Sequence, residues 1–181
     1  MILSVCFGGQ WHYAEAPEEK SRLVSEVMAT LKGESGSGQS WSPGQDAWFS
    51  LAEERHNDEN RVADNHLRVA INRSTGFGAL IWFVNDDSPR KGGIYDQVWV
   101  SDNPEPSGTD PRVVSDPGYP LFHDPSSAIP LARLRAALEE FSDTGTGDRP
   151  ECIAWVPGHM NGQRFDRPSM VETVEITDPF A

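Results

Sequence analysis

Cysteine is scarce in this chain, and the two present, Cys6 and Cys152, show neither zinc-ligand spacing nor a redox Cys-x-x-Cys pair. Both fall in apolar stretches and read as buried, reduced thiols in preference to a disulfide. Long apolar runs are missing too; none approaches the roughly 20 residues that a bilayer-crossing helix needs. The N-terminal Met1-Ile2-Leu3-Ser4-Val5-Cys6-Phe7 has no basic flank and reads as a first strand rather than an export signal, so a cytoplasmic location is expected. Basic side chains are outnumbered, 15 against 28 acidic ones, for a net charge of −13. That balance disfavours direct binding to nucleic acid or an anionic membrane, because phosphate recognition needs a basic surface. The acidity serves solubility, and it equally suits docking on a basic partner, such as an enzyme acting on nucleic acid. There is no Gly-x-x-x-x-Gly-Lys phosphate cradle and no Gly-x-Ser-x-Gly nucleophile elbow, and no cofactor is expected.

What is present is an alternation of strand and helix patterns. A chain of 181 residues buries about 70% of its unfolded surface, enough for a core without staples. Pro17 to Lys32 predicts a helix with Leu23, Val24, Val27 and Leu31 on its apolar stripe and Glu18-Glu19 in the first turn. Gly33 to Asp46, rich in Gly and Ser, reads as a mobile loop. Trp48 to Ala52 is a strand. In His66 to Asn72, Leu67, Val69 and Ile71 alternate inward, and His66, Arg68 and Ala70 outward, with His66 expected to face solvent. Phe77 to Val84 returns antiparallel after a turn, and Tyr95 to Ser101 is a further strand. The five prolines between Asn103 and Pro120 leave room only for a short strand at Arg112-Val113-Val114.

The most informative stretch is Ile129 to Trp155. Pro130 suits a first helical turn, and Leu131, Leu134, Leu138 and Phe141 recur at helical spacing. Asp143-Thr144-Gly145 ends the helix, and Arg149-Pro150 leads into an apolar strand, Cys152 to Val156. Beyond it, 157–181 is a polar segment in which Val171, Val174 and Ile176 suggest an edge strand. The sum is one domain over 1–181 of the α+β class: a twisted, largely antiparallel sheet with two helices packed on one face.

These residues also carry a resemblance. The Pro-started helix ending in Phe141, Thr144-Gly145, Arg149-Pro150 and the strand closing on Trp155 are similar to the C-terminal signature of the first-numbered (Imm-type one) family of immunity proteins from bacterial polymorphic-toxin systems. Leu67, Val69 and Ile71 followed by Gly76-Phe77-Gly78-Ala79-Leu80-Ile81-Trp82 resemble its central hairpin, so the likeness spans about Trp48 to Val156. Thr146-Gly147-Asp148 lengthen one link relative to that pattern. The resemblance implies an α+β fold and a non-catalytic inhibitor that binds a cognate toxin domain, often a nucleic-acid deaminase or nuclease.

The chain is not itself a zinc deaminase. Pro150-Glu151-Cys152 lacks the second cysteine of Pro-Cys-x-x-Cys, and no histidine is followed two residues on by Glu. His123-Asp124 offers an orienting pair for a small hydrolase, the alternative reading, which requires a concave pocket with a nucleophile near its base. Trp82, Trp99 and Trp155 lie in predicted strands and read chiefly as core, whereas Trp11, Tyr13, Trp41, Tyr95 and Tyr119 fall in or beside predicted loops. For an inhibitor, the candidate contact patch is Asp86, Asp87, Asp96, Asp102 and Glu105 at the sheet ends with Tyr95 or Trp99 as aromatic anchor, covering the basic substrate cleft of the toxin.

Overall fold

The computed structural model describes residues 1–86, 88 and 98–168. Along the chain run β1 (Ile2–Phe7), β2 (Gln10–Ala14), α1 (Pro17–Thr30), β3 (Asp46–Ala52), β4 (Asn65–Asn72), β5 (Phe77–Val84) and β6 (Val98–Asp102). There follow β7 (Val114–Asp116), β8 (Leu121–Phe122), β9 (Ile129–Pro130), α2 (Leu131–Thr144) and β10 (Ala154–Gly158). The main sheet has the order β10-β6-β5-β4-β3-β1-β2 with antiparallel neighbours, β9 adding to β5, while β7 and β8 form a separate ribbon. The fold is α+β, as the sequence predicts.

Strand alternation puts Leu3 and Val5, Phe49 and Leu51, Leu67 and Val69, and Leu80 and Trp82 on one face. Both helices lie on it: Leu23, Val24 and Val27 of α1 and Leu134, Leu138 and Phe141 of α2 share its buried cluster. Trp155 packs at the margin of that cluster, half-buried. The helices also touch each other, with Lys20 Nζ donating to the Ser142 carbonyl at 3.1 Å and Arg135 donating to Ser25 Oγ at 2.6 Å. Gly145 ends α2 with a φ of 65°, the left-handed cap expected of it.

Four expectations need correction. Trp11 and Tyr13 are not loop residues. They lie on β2, which pairs with β1 through a two-residue turn, Gly8-Gly9, whose φ values of 58° and 75° suit the type of hairpin loop that glycine permits. The strand predicted from Cys152 begins only at Ala154, because the Glu140 carboxylate of α2 takes the Glu151 and Cys152 amides at 2.7 and 3.0 Å. Cys152 is consequently exposed and Cys6 half-buried, both as free thiols. The short strand predicted at 112–114 is shifted to β7, starting at Val114. Finally, every residue of β4 is buried, including His66 and Arg68.

The burial of β4 arises because the sheet face away from the helices is not left to water. Val113, Val114 and Ala128 cover Ala70 and Ala79 there. The 53–64 connection folds over the other end, held by the His56 amide donating to Ser4 Oγ at 3.0 Å. The glycine-rich 33–46 segment is pinned at its base, Gln45 donating to the Lys32 carbonyl at 2.8 Å, and it carries the ion pair of Glu34 with Arg112. Val171, Val174 and Ile176 lie outside the described residues.

Candidate functional site

Between the sheet face away from the helices and the 53–64 connection lies a cleft of about 620 Å³. Its floor is built by register. Ser4 pairs with Ser50, Cys6 with Trp48, Trp48 with Arg68, and His66 with Phe83, so polar and aromatic side chains form adjacent rows on the side opposite the helices. Five rings run in succession around it. Trp11 meets His56 edge-on at 5.4 Å between centroids, and His56 meets His66 at 5.4 Å. His66 stacks on Phe83 at 4.8 Å, and Phe83 meets Trp48 edge-on at 5.8 Å.

The β3–β4 backbone ladder ends at the Phe49–Leu67 pair. Beyond it the Asn65 side chain substitutes for main chain, accepting from the Leu51 amide at 3.0 Å and donating to its carbonyl at 2.8 Å. Ser50 Oγ lies 2.9 Å from His66 Nδ1, and His66 Nε2 lies 3.1 Å from Asn85 Oδ1. Asn85 Nδ2 donates to the Ala63 carbonyl at 3.0 Å, which orients its oxygen toward His66. His66 Nε2 therefore carries the proton, and Nδ1 accepts from the Ser50 hydroxyl. Burial lowers the His66 pKa to about 4, with His56 adding to the effect. His56 is likewise lowered, by burial and then by Arg61, and its Nδ1 accepts from the Ala63 amide at 3.0 Å. Both imidazoles are neutral near pH 7. Burial and the carboxylates of Asp58 and Asp46 raise the pKa of the Cys6 thiol on the cleft floor.

Chemically, Ser50, His66 and Asn85 form a hydroxyl–base–orienting relay. Ser50 is nevertheless only 1% exposed and lies within a strand, and a base with a pKa of about 4 withdraws a hydroxyl proton poorly. The relay ties β3 to β4 beyond the end of their main-chain ladder and reaches Asn85, just past β5.

His123 and Asp124 do not form the pair expected of them. His123 is buried, its pKa lowered to about 3 by burial and then by Arg68, and its Nδ1 has no hydrogen-bond partner among the described residues. Asp124 instead caps the 3₁₀ turn Pro125–Ser127 by accepting from the Ser126 amide at 2.8 Å. No group of three or more His, Cys, Asp or Glu among the described residues is placed to hold a metal ion.

The predicted contact patch is distributed. Asp86 is exposed in the turn after β5, and Glu105 is exposed beyond β6. Because Ile81 pairs with Val100 antiparallel, these two lie at opposite ends of the β5–β6 pair. Trp99 belongs to the helix face, where the Arg149 guanidinium lies 3.9 Å from its ring centroid. Asp102 is paired at 2.7 Å with Arg164, itself 4% exposed. Asp87, Tyr95 and Asp96 lie outside the described residues. Sequence reading missed the cleft; its one available signal was the run of polar and aromatic residues at the outward positions of two strands, Trp48 and Ser50, then His66 and Arg68.

The fold is thus an α+β sheet with two helices on one face, a ring-lined cleft on the other and a strongly acidic composition. The chain belongs to the Imm1 family of immunity proteins, whose model matches residues 11–157. Membership implies a toxin as partner and suggests a non-enzymatic role. No curated protein and no solved structure matches the chain. No helix among the described residues is long and apolar enough to cross a membrane.

Proposed function

We propose that this protein is a single-domain, cytoplasmic immunity protein that neutralises a cognate toxin by binding it and occluding its basic substrate cleft, without catalysis. The toxin is a nucleic-acid-targeting enzyme, a deaminase or a nuclease. The observation that carries the reading is the family match over 11–157; the net charge of −13 supports the electrostatic part of it. A carboxylate-rich surface speeds encounter with a basic enzyme, and a desolvated aromatic contact slows separation. Asp86, Asp87, Asp96, Asp102 and Glu105, with Tyr95 or Trp99, remain the proposed contributors. Of these, Asp86 and Glu105 are the exposed members among the described residues.

The test is co-expression with the toxin domain encoded by the neighbouring gene. Restored growth and a co-purifying complex are expected. Undiminished killing, with no complex formed, rejects the proposal.

A second reading, hydrolysis with Ser50 as nucleophile and His66 as base, has the hydrogen-bonded relay for it and the burial of Ser50 against it. It demands that a serine-directed fluorophosphonate label Ser50 and that Ser50→Ala abolish protection. Protection by a folded Ser50→Ala variant removes this reading.

A further inference from the structure

We infer that the cleft between the sheet face away from the helices and the 53–64 connection is the socket that holds the toxin, and that its occupant is an uncharged aromatic side chain on a toxin loop. The inference rests on the immunity reading and adds to its carboxylates a second contact, with the aromatic anchor in the cleft rather than at Tyr95 or Trp99.

Three features define the occupant. The first is composition: Trp11, His56, His66, Phe83 and Trp48 form a continuous series of rings at centroid distances of 4.8 to 5.8 Å, a lining suited to another ring in stacked or edge-on contact. The second is charge. The chain as a whole carries −13, yet among the described residues the cleft lining contains one carboxylate, Asp58, and one guanidinium, Arg61, and its two imidazoles are neutral. A cationic side chain would meet Arg61 as well as Asp58 and gain little. An uncharged ring meets no like charge, and Asp58, whose Oδ2 accepts from Trp11 Nε1 at 3.4 Å, offers its other carboxylate oxygen to a phenol or indole donor. The third is rigidity. The Asn57 side chain accepts from the Glu59 and Asn60 amides at 2.9 and 2.8 Å, and His56 is bonded at both its amide and its ring. A pre-formed socket avoids the ordering cost that weakens a flexible contact. The acidic exterior then steers, and the neutral cleft retains.

Cys6 makes occupation measurable, because its thiol lies on the cleft floor and the only other cysteine is Cys152, exposed beside α2. In a Cys152→Ser background, N-ethylmaleimide modification of Cys6 is followed by mass spectrometry in the free protein and in its complex with the neighbouring-gene toxin domain. The complex is expected to slow modification at least about tenfold, as burial of a hot-spot contact requires. In parallel, Trp11→Ala and Met160→Arg alter the rim. Met160 accepts from Arg68 through its main-chain carbonyl, so its side chain is replaceable without loss of that bond. Both variants are expected to keep the unfolding midpoint and to raise the dissociation rate by about tenfold or more, leaving association nearly unchanged.

If a complex forms and protects cells, but Cys6 reacts at its free rate and both variants dissociate like the parent, the socket is wrong and the immunity reading stands. If no complex forms, the immunity reading fails and takes the socket with it. Alanine substitution across the toxin loops decides the occupant: loss at a Tyr, Trp or Phe supports the inference, whereas loss at an Arg or Lys overturns it.

Discussion

At the scale of single residues, the decisive chemistry is the burial of imidazoles in their neutral form. In the unfolded chain His66 and His123 take up a proton near pH 6.5; in the fold they do so only near about 4 and about 3. Folding therefore excludes protons that the unfolded chain binds. The stabilisation is complete above pH 6.5 and is lost as pH falls toward the folded values. While one imidazole is charged only in the unfolded state, stability drops by about 1.4 kcal/mol per pH unit. Asp124 and Glu140 are shifted downward as well, but from starting values of 3.8 and 4.5, so their losses come at lower pH. Urea unfolding should accordingly show a midpoint that falls steadily between about pH 6.5 and about pH 5. A flat midpoint over that interval means that these rings are charged in the fold, or exposed.

None of this was legible in His66 itself. Its alternation with Leu67 and Val69 correctly placed it on the face away from the helices. What covers that face comes from chain segments that strand periodicity does not describe: the 53–64 connection, the stretch around Val113 and Val114, and Met160, whose carbonyl accepts from Arg68 at 3.1 Å. The relay is hidden for a related reason. Ser50, His66 and Asn85 are 16 and 19 residues apart, and only the strand register brings them within hydrogen-bond distance.

Among the elements, α2 is the one the sequence described best, because every determinant of it is local: the leucine spacing, Phe141 and the Gly145 cap. Leu134, Leu138 and Phe141 are fully buried against Trp82. Leu138→Ala should cost about 2–5 kcal/mol, a large part of the roughly 5–15 kcal/mol that holds a domain together. Toxin affinity per folded molecule should stay unchanged. Lost binding at an unaltered unfolding midpoint would make α2 a contact surface and contradict its place in the scaffold. The element most poorly foreseen is β2. Gly8-Gly9 can turn a hairpin, but the run after it, Gln10-Trp11-His12-Tyr13-Ala14, is short, has no clean apolar-polar alternation and abuts the start of a helix. Its strand identity is set by pairing with β1, from Leu3–Ala14 to Phe7–Gln10.

For the molecule as a whole, the net charge of −13 predicts that association with a basic toxin slows as salt is added. Asp86→Lys with Asp87→Lys should lower the association rate and flatten its salt dependence. Glu105→Lys, at the far end of the β5–β6 pair, asks whether the entire surface steers or only one end. Stopped-flow mixing at low and moderate ionic strength measures both; equal rates for all variants at low salt would remove these carboxylates from the encounter.

The early end of the β3–β4 ladder at Phe49–Leu67, closed off by the Asn65 side chain, has an evolutionary consequence. It separates a frame that must not change from a mouth that can. Ser50, His66 and Asn85 are tied to one another, and Asn65 and Asn85 to main chain, so each is constrained by its partners. Asp58 and Arg61 stand on the connection beyond the split, where substitution leaves the ladder intact. Under the socket inference, descendants of one ancestral gene would acquire different toxin preferences by altering those positions, each lineage keeping the same foldable body while ceasing to protect against its sibling's weapon.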